Sequence, residues 1–437
     1  MGLRVAGHLF PSLSQIGSTG GMPPAPTRDF RLRYHAPDIT KPSFFLIDVT
    51  VTDKGVIHLI EVNGSNAALS SSVRGEDHDR ARHMAFCFNL KPRPATPVVA
   101  LLGHQPGFIH IAEFYRRAGT FARVLSNDHA VALRGADEIL GGEDVSIVCG
   151  PIAELAPLIT CEAGFLLFRG RPVTFASNPN VLPELVRLGV IDRDGMTYGV
   201  RDDIFHEGDC TPLVHDKGIQ QALAEGTAIA PLAWREAHDV ETWMDATRWF
   251  REQGLVCVAK MNSGSGGAGI QVIAPTMGDL ECKAALDQIL AGARDKHGPD
   301  ADATVFPVRL FQFAMASPYM LHGKPHLWDL RLQCLVSPGR VDVRPCVVRL
   351  CPAPFDGSYS WDSCVSNLTG RDATRAMAFL RAPGGDRRSV PTSVLAGMGM
   401  DERAMETVMQ GCAEWSVAAA RWAAHRQEAT RHNPARG

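Results

Sequence analysis

The chain has 437 residues, 45% of them apolar and 21% charged, the proportions of a soluble globular protein with room for two or three domains. A formal net charge of −3 with a pI of about 6.6 excludes a field strong enough to gather nucleic acid or an anionic membrane, so any anion site must be local. The eleven cysteines are scattered, without a close CxxC pair, and often sit in apolar runs such as Val256-Cys257-Val258. That usage points to free thiols in a reducing compartment rather than disulfides or zinc. No run is long and apolar enough to span a membrane, the first residues lack the apolar core of a signal peptide, and the cytoplasm is the expected location.

In chain order, residues 1–27 read as a loose Gly/Ser/Pro-rich tail. Two β-rich runs, 43–52 and 56–62, flank Asp53-Lys54-Gly55 and predict a hairpin. A polar, helix-prone stretch at 74–87 leads to Lys91-Pro92-Arg93-Pro94, a linker. From 97 onward, short apolar strands at 98–102, 122–125, 145–149 and 174–176 alternate with helices at 109–118 and 181–188, which suggests a parallel, Rossmann-like α/β layer. Its first turn lacks GxGxxG, so a dinucleotide has no support, and His104, which could touch substrate from near the end of the first strand, reads rather as a surface-loop histidine. From 211, helices are predicted at 216–225, 241–253 and 280–293, with strands at 255–260, 270–274 and 305–313. An antiparallel pair at 329–336 and 341–350 brackets Ser337-Pro338-Gly339, and a long helix at 402–425 closes the chain.

Three stretches carry chemistry. In Val256 to Ile270, a strand delivers Lys260, a loop with Ser263, Gly264, Ser265, Gly266 and Gly267 follows, and a second strand returns. Glycines let backbone N–H groups approach phosphate oxygens and the lysine adds a point charge; a plain hairpin with a Gly-rich turn explains the same residues equally well. In the first hairpin, Glu61 and Asn63 alternate onto one strand face and Asp48 can lie beside them. Two carboxylates and an amide oxygen are hard ligands suited to Mg²⁺, and the apolar flanks 45–47 and 59–60 weigh against a merely solvated strand end. In Trp328-Asp329-Leu330-Arg331-Leu332, Asp329 and Arg331 share a face; Arg349 and Asn367 follow downstream. Arginine on a rigid strand suits capture of phosphate or carboxylate, although this segment taken alone favours an ordinary Asp/Arg pair on an exposed sheet face.

Taken together, the strand lysine with its Gly-rich hairpin, the strand end Leu310-Phe311-Gln312-Phe313-Ala314, the Asp329-Leu330-Arg331 triplet and Ser366-Asn367-Leu368 resemble the ATP-grasp ligases, above all ribosomal-protein glutamate ligases and, more distantly, tubulin tyrosine ligase-like enzymes. Upstream, His215-Asp216-Lys217-Gly218 with Ile229-Ala230-Pro231 is similar to the entry to that domain, and Ile47-Asp48 through Glu61-Val62-Asn63-Gly64-Ser65 resembles the metal-binding hairpin. The order differs. The family's hairpin follows the SNL segment and a helix, whereas here it precedes the Rossmann-like unit, the arrangement of a circular permutation. Met261 also stands where the family places proline after the strand lysine.

The resemblance implies an α/β (α+β) fold with antiparallel-rich sheets clamping ATP and a Rossmann-like preceding domain. The implied division is a tail at 1–27, a permuted metal-binding hairpin at 28–75, a linker at 76–96, the Rossmann-like domain at 97–210 and the ATP-grasp domain at 211–437. It implies that Lys217, Lys260 and the loop residues Ser263, Gly264, Ser265, Gly266 and Gly267 hold ATP phosphates. Gln312, Phe313 and Ala314 would line the adenine, and Asp48, Glu61 and Asn63 would bind Mg²⁺. Arg331, Arg349 and Asn367 would act near the transferred phosphate. The implied reaction joins a carboxylate to an amine through an acyl-phosphate, with ATP and Mg²⁺ as cofactors and small molecules or peptides as partners. Neither nucleic acid nor membrane is expected, and a homodimer is left open. A kinase on the same fold and a nucleotide-binding module without turnover are the alternatives.

Overall fold

The computed structural model describes residues 27–63, 98–104, 111–125, 139–141, 145–176, 181–192, 210, 213–214, 216–261, 269–297, 305–366 and 389–432. Strands β1 (Thr27–Asp29) and β2 (Leu32–Ala36) precede the hairpin of β3 (Ser43–Val51) and β4 (Ile57–Asn63). A second unit holds β5 (Val98–His104), α1 (Ile111–Leu125), β6 (Ile139–Gly141), β7 (Val145–Pro151) and α2 (Ile152–Leu155). It continues with β8 (Ile159–Glu162), β9 (Phe165–Phe168), β10 (Arg171–Ala176) and α3 (Val181–Arg187). The third part begins with α4 (Lys217–Ala222), β11 (Trp234–Ala237), α5 (Val240–Glu252), β12 (Cys257–Met261), β13 (Gln271–Ile273), α6 (Asp279–His297) and β14 (Val308–Gln312). Then come β15 (Tyr319–Leu321), β16 (Lys324–His326), β17 (Trp328–Ser337), β18 (Gly339–Leu350), α7 (Trp361–Cys364), β19 (Ser389–Pro391), α8 (Thr392–Gly397) and α9 (Glu402–His432). The result is a mixed α/β molecule with several antiparallel sheets.

The sheet that matters most has the order β2-β18-β17-β3-β4 and is antiparallel throughout. The first hairpin therefore lies against β17, with Arg331 opposite Asp48 and Val336 opposite Ser43. Period-two alternation explains why. On β3, Phe45, Ile47 and Val49 join Leu330, Leu332 and Cys334 of β17 in one core, closed by Met405, Val408, Cys412 and Trp415 of α9. Phe45 meets the Trp415 indole edge-on at 5.4 Å. Phe44, Leu46, Asp48 and Thr50 point to the opposite face, and all nine residues of β3 are buried.

The four-stranded sheet β11-β14-β12-β13 carries α5 and α6. Asp239 caps α5 in a capping box with Thr242, and Trp243, Phe250, Leu286 and Ile289 fill the space between helices and strands.

The second unit is a six-stranded sheet, β6-β7-β5-β10-β9-β8. Only β7, β5 and β10 run parallel; β6, β9 and β8 are antiparallel additions. The expected parallel, Rossmann-like layer is thus mixed; β8 and β9 join it antiparallel because Ala163-Gly164 and Arg169-Gly170 both take positive φ and turn the chain back in tight two-residue hairpins. The strand expected at 122–125 is instead the last turn of α1; four residues are too few for periodicity to separate the two. His104 is buried at the end of β5, its ring 5.2 Å from that of Phe114, rather than lying on a surface loop. The helix expected at 74–87 and the linker lie outside the described residues.

Candidate active site

The core of the site is a row of charged side chains crossing the five-stranded sheet on the face away from α9. Asp48 is fully buried. Arg331 grips it with two parallel bonds, Nε to Oδ1 at 2.6 Å and Nη2 to Oδ2 at 2.7 Å, the bidentate geometry that favours arginine. Arg349 adds a contact from Nη2 to Oδ2 at 2.8 Å and donates from Nε to Asp329 Oδ1 at 2.5 Å. Ser366 Oγ donates to the other Asp329 oxygen. Burial alone would raise the Asp48 carboxyl, but Arg331 and Arg349 outweigh it and hold the group below its ordinary value. Burial raises Asp329, with the Asp48 charge adding to the effect against Arg349. Burial works against the charge on Arg349, and Asp329 and Asp48 overcome it and raise its pKa.

The row continues onto β4. Asn63 Nδ2 donates to Asp48 Oδ2 at 3.1 Å, which turns its carbonyl oxygen away from Asp48. Glu61 pairs with Asp48 in the β3–β4 register. Its carboxylate lies 3.7 Å from the ammonium of Lys217, the first residue of α4. Lys217 is buried, and burial, with repulsion from Lys260 and Arg309, lowers its pKa against the pull of Glu61. Lys260, on β12 of the other sheet, reaches the Ile60 carbonyl at 3.5 Å. Three segments far apart in the chain thus meet at one point: β4, the start of α4, and β12.

Arg309 fixes the start of α4. It lies opposite Lys260 on β14, donates to both oxygens of Asp216 and to Glu236 at 2.8 Å, and stacks over Trp234. Asp216 is the N-cap of α4, accepting from the Ile219 N–H. Gly218 leaves room for this packing, since a Cβ would stand 3.0 Å from Arg309 Cζ and 3.1 Å from Trp234. Sequence reasoning passed over Arg309, although an arginine inside the apolar run Val308-Arg309-Leu310-Phe311 signals a buried, partnered charge.

Of the residues predicted from sequence, Asp48, Glu61, Asn63, Lys217, Lys260, Arg331 and Arg349 form one connected cluster. Gln312, Phe313 and Ala314 stand apart from it at the end of β14, half-buried. There the Gln312 and Phe313 N–H groups donate to the Ala233 and Val256 carbonyls, and Phe313 meets Tyr359 edge-on at 6.0 Å. Ser263 to Gly267 and Asn367 lie outside the described residues. Asp48 stands in this row with its carboxylate bonded by the Arg331 and Arg349 guanidinium groups and the Asn63 amide. Among the described residues, no three His, Cys, Asp or Glu side chains converge as a metal cluster, and no helix is long and apolar enough to cross a membrane.

No protein-family profile matches the chain, and no curated protein does. Among solved structures, it is similar to a provisionally assigned gamma-glutamylcysteine synthetase from Methylobacillus flagellatus, with 11% identity, a TM-score of 0.47, and 89% of this chain and 91% of that one covered. It is also similar to D-alanyl-alanine synthetase A from Vibrio cholerae, with 8% identity, a TM-score of 0.36, and 75% and 82% covered.

Proposed function

We propose that the chain is an ATP- and Mg²⁺-dependent carboxylate–amine ligase of the ATP-grasp type, circularly permuted so that its metal-binding hairpin comes first. The observation that carries this reading is the meeting of Glu61 with Lys217 and of the adjoining Ile60 carbonyl with Lys260. An ion pair that merely stabilised a surface would not gather a buried lysine, a second lysine and two strand-borne oxygen donors from three distant segments.

The residues fit a Mg²⁺–phosphate site in part. The Glu61 carboxylate and the Asn63 amide oxygen are hard donors on one strand face, whereas Asp48 fits the role of anchor for Asn63, Arg331 and Arg349. When bound, Mg²⁺ would neutralise charge on the ATP phosphates. Lys217 and Lys260 bind phosphate oxygens, and Arg331 and Arg349, held in place by Asp48 and Asp329, offer guanidinium N–H donors to the transferred group. A substrate carboxylate oxygen attacks the γ-phosphorus, the bond to the bridging oxygen breaks, and ADP leaves. The amine nitrogen then attacks the acyl carbon, inorganic phosphate departs, and the ammonium proton passes to solvent as the amide forms. Positioning and charge neutralisation supply the catalysis, and no protein nucleophile is needed.

The test is to incubate the protein with ATP, Mg²⁺ and pools of amino acids and follow ADP and mass-shifted products. ADP release that depends on an amine supports the ligase. Release that depends on a hydroxylated acceptor alone assigns a kinase. ATP consumption unchanged in both Glu61→Ala and Lys260→Ala overturns the site.

A further inference from the structure

β4 is the edge of its sheet, and an edge strand presents unpaired backbone groups to its surroundings. Here side chains from α4 cover them. Gln220 accepts from the Val62 N–H at 3.0 Å and donates to the Val62 carbonyl at 3.2 Å, as a neighbouring strand would. Its amide nitrogen also donates to the Val214 carbonyl at 2.9 Å. Its own backbone carbonyl accepts from the Trp415 indole at 2.9 Å. Gln221 bridges the Leu59 carbonyl and the Leu232 N–H, each at 2.9 Å, and the Ile57 carbonyl accepts from Ala230 N–H at 2.8 Å. Both glutamines are 2% exposed.

Their targets differ. Gln221 holds Leu59, a core residue before the charged pair. Gln220 holds both backbone groups of Val62, the one residue between Glu61 and Asn63. Fixing the two peptide planes of Val62 fixes the direction of the Cα–Cβ bonds on either side, and so the separation of the two oxygen donors.

We propose that Gln220 is a positioning residue that sets the geometry of the Glu61–Asn63 donor pair through the Val62 backbone. The inference rests on the metal–nucleotide reading above. Groups that orient metal donors without touching the metal commonly alter affinity by about 10–100-fold, and Gln221 supplies a matched control on the same helix and strand.

The experiment uses the full chain and measures Mn²⁺ binding in the presence of ADP by electron paramagnetic resonance, alongside urea unfolding. Gln220→Met should weaken Mn²⁺ binding about tenfold. Gln221→Met should lower the unfolding midpoint comparably yet leave Mn²⁺ binding within about twofold, since it acts before the donor pair. Gln220→Glu keeps the acceptor for the Val62 N–H but loses the bonds to the Val62 and Val214 carbonyls, and should weaken Mn²⁺ binding in the same direction if the methionine variant does not fold. Unchanged Mn²⁺ affinity in the folded Gln220 variants overturns the proposal, as does equal weakening in Gln221→Met. Failure of the unmodified protein to bind Mn²⁺ with ADP overturns the site reading itself and the inference with it.

Discussion

Replacing Asp48 with asparagine tests the buried charge row directly. Asp48 and Asp329 face Arg331 and Arg349, so the four formal charges cancel in a region where Asp48 is wholly buried and neither arginine is more than 8% exposed. Asp48→Asn keeps the shape but leaves one uncompensated positive charge, and it points an amide donor at groups that are themselves donors. Removing one partner of a buried ion pair typically costs about 3–5 kcal/mol, and that loss is expected here. Urea unfolding followed by tryptophan fluorescence reads it, since Trp328 and Trp415 lie in the same core. The pH dependence has a definite sign. The folded-state pKa of Asp48 lies below its ordinary 3.8, so its contribution is present above the unfolded pKa and is lost as pH falls through the folded value. The difference between the unmodified protein and Asp48→Asn should therefore be full at pH 6 and shrink below about pH 4. A loss under about 1 kcal/mol at pH 6, or a difference that persists undiminished in acid, would refute the assignment of a buried, arginine-held carboxylate.

Three further outcomes can be checked by thermal or urea unfolding. Gly218→Ala should cost about 1–3 kcal/mol, because its Cβ crowds the Arg309 guanidinium and Trp234. Asp216→Ala should cost about 1–2 kcal/mol from the lost N-cap, and should raise the KM for ATP by releasing the start of α4 and with it Lys217. Trp415→Phe should cost about 1–3 kcal/mol, since the buried Gln220 carbonyl loses its donor.

The first hairpin was legible because its local signals agree: two β-rich runs and an Asp53-Lys54-Gly55 turn with positive φ at Gly55. Lys260 was legible as a strand residue for the same reason. The pairing of β2 with β18, which sets Ala36 opposite Gly339 and Leu32 opposite Val343, left no local trace, since a five-residue strand gains its stability from its partner. The X-Gly turns at Ala163-Gly164, Arg169-Gly170 and His322-Gly323 lack the asparagine or aspartate that usually marks such hairpins, which is why β8, β9, β15 and β16 were not anticipated. The apolar flanks of Asp48 mark a carboxylate that needs a partner, but Arg331 and Arg349 stand on strands brought to it only by folding. The apolar run around Arg309 marks a buried, partnered charge, but its partners, Asp216 at the start of α4 and Glu236 on β11, are brought to it only by folding.

The faces on which the key charges stand depend on two irregularities that alternation alone cannot supply. Counting by twos from the core residues Ile57 and Leu59 would place Glu61 in the core, and counting from Val341 and Val343 would place Arg349 there too. Neither is in the core. In β4 the register passes from Leu59 opposite Val49 to Glu61 opposite Asp48, so Ile60 is an extra residue. In β18 it passes from Pro345 opposite Leu332 to Val347 opposite Arg331, so Cys346 is extra. Each is a β-bulge, and each resets the phase so that Val62 in one strand and Val348 and Leu350 in the other return to the core. Glu61 and Arg349 are thereby turned to the face that carries Asp48, Asp329 and Arg331. The bulge in β4 also lets the Ile60 carbonyl meet Lys260 of the second sheet. The charge row therefore follows from two single-residue insertions into otherwise regular strands, one on each side of the β17–β3 pair that holds Arg331 against Asp48.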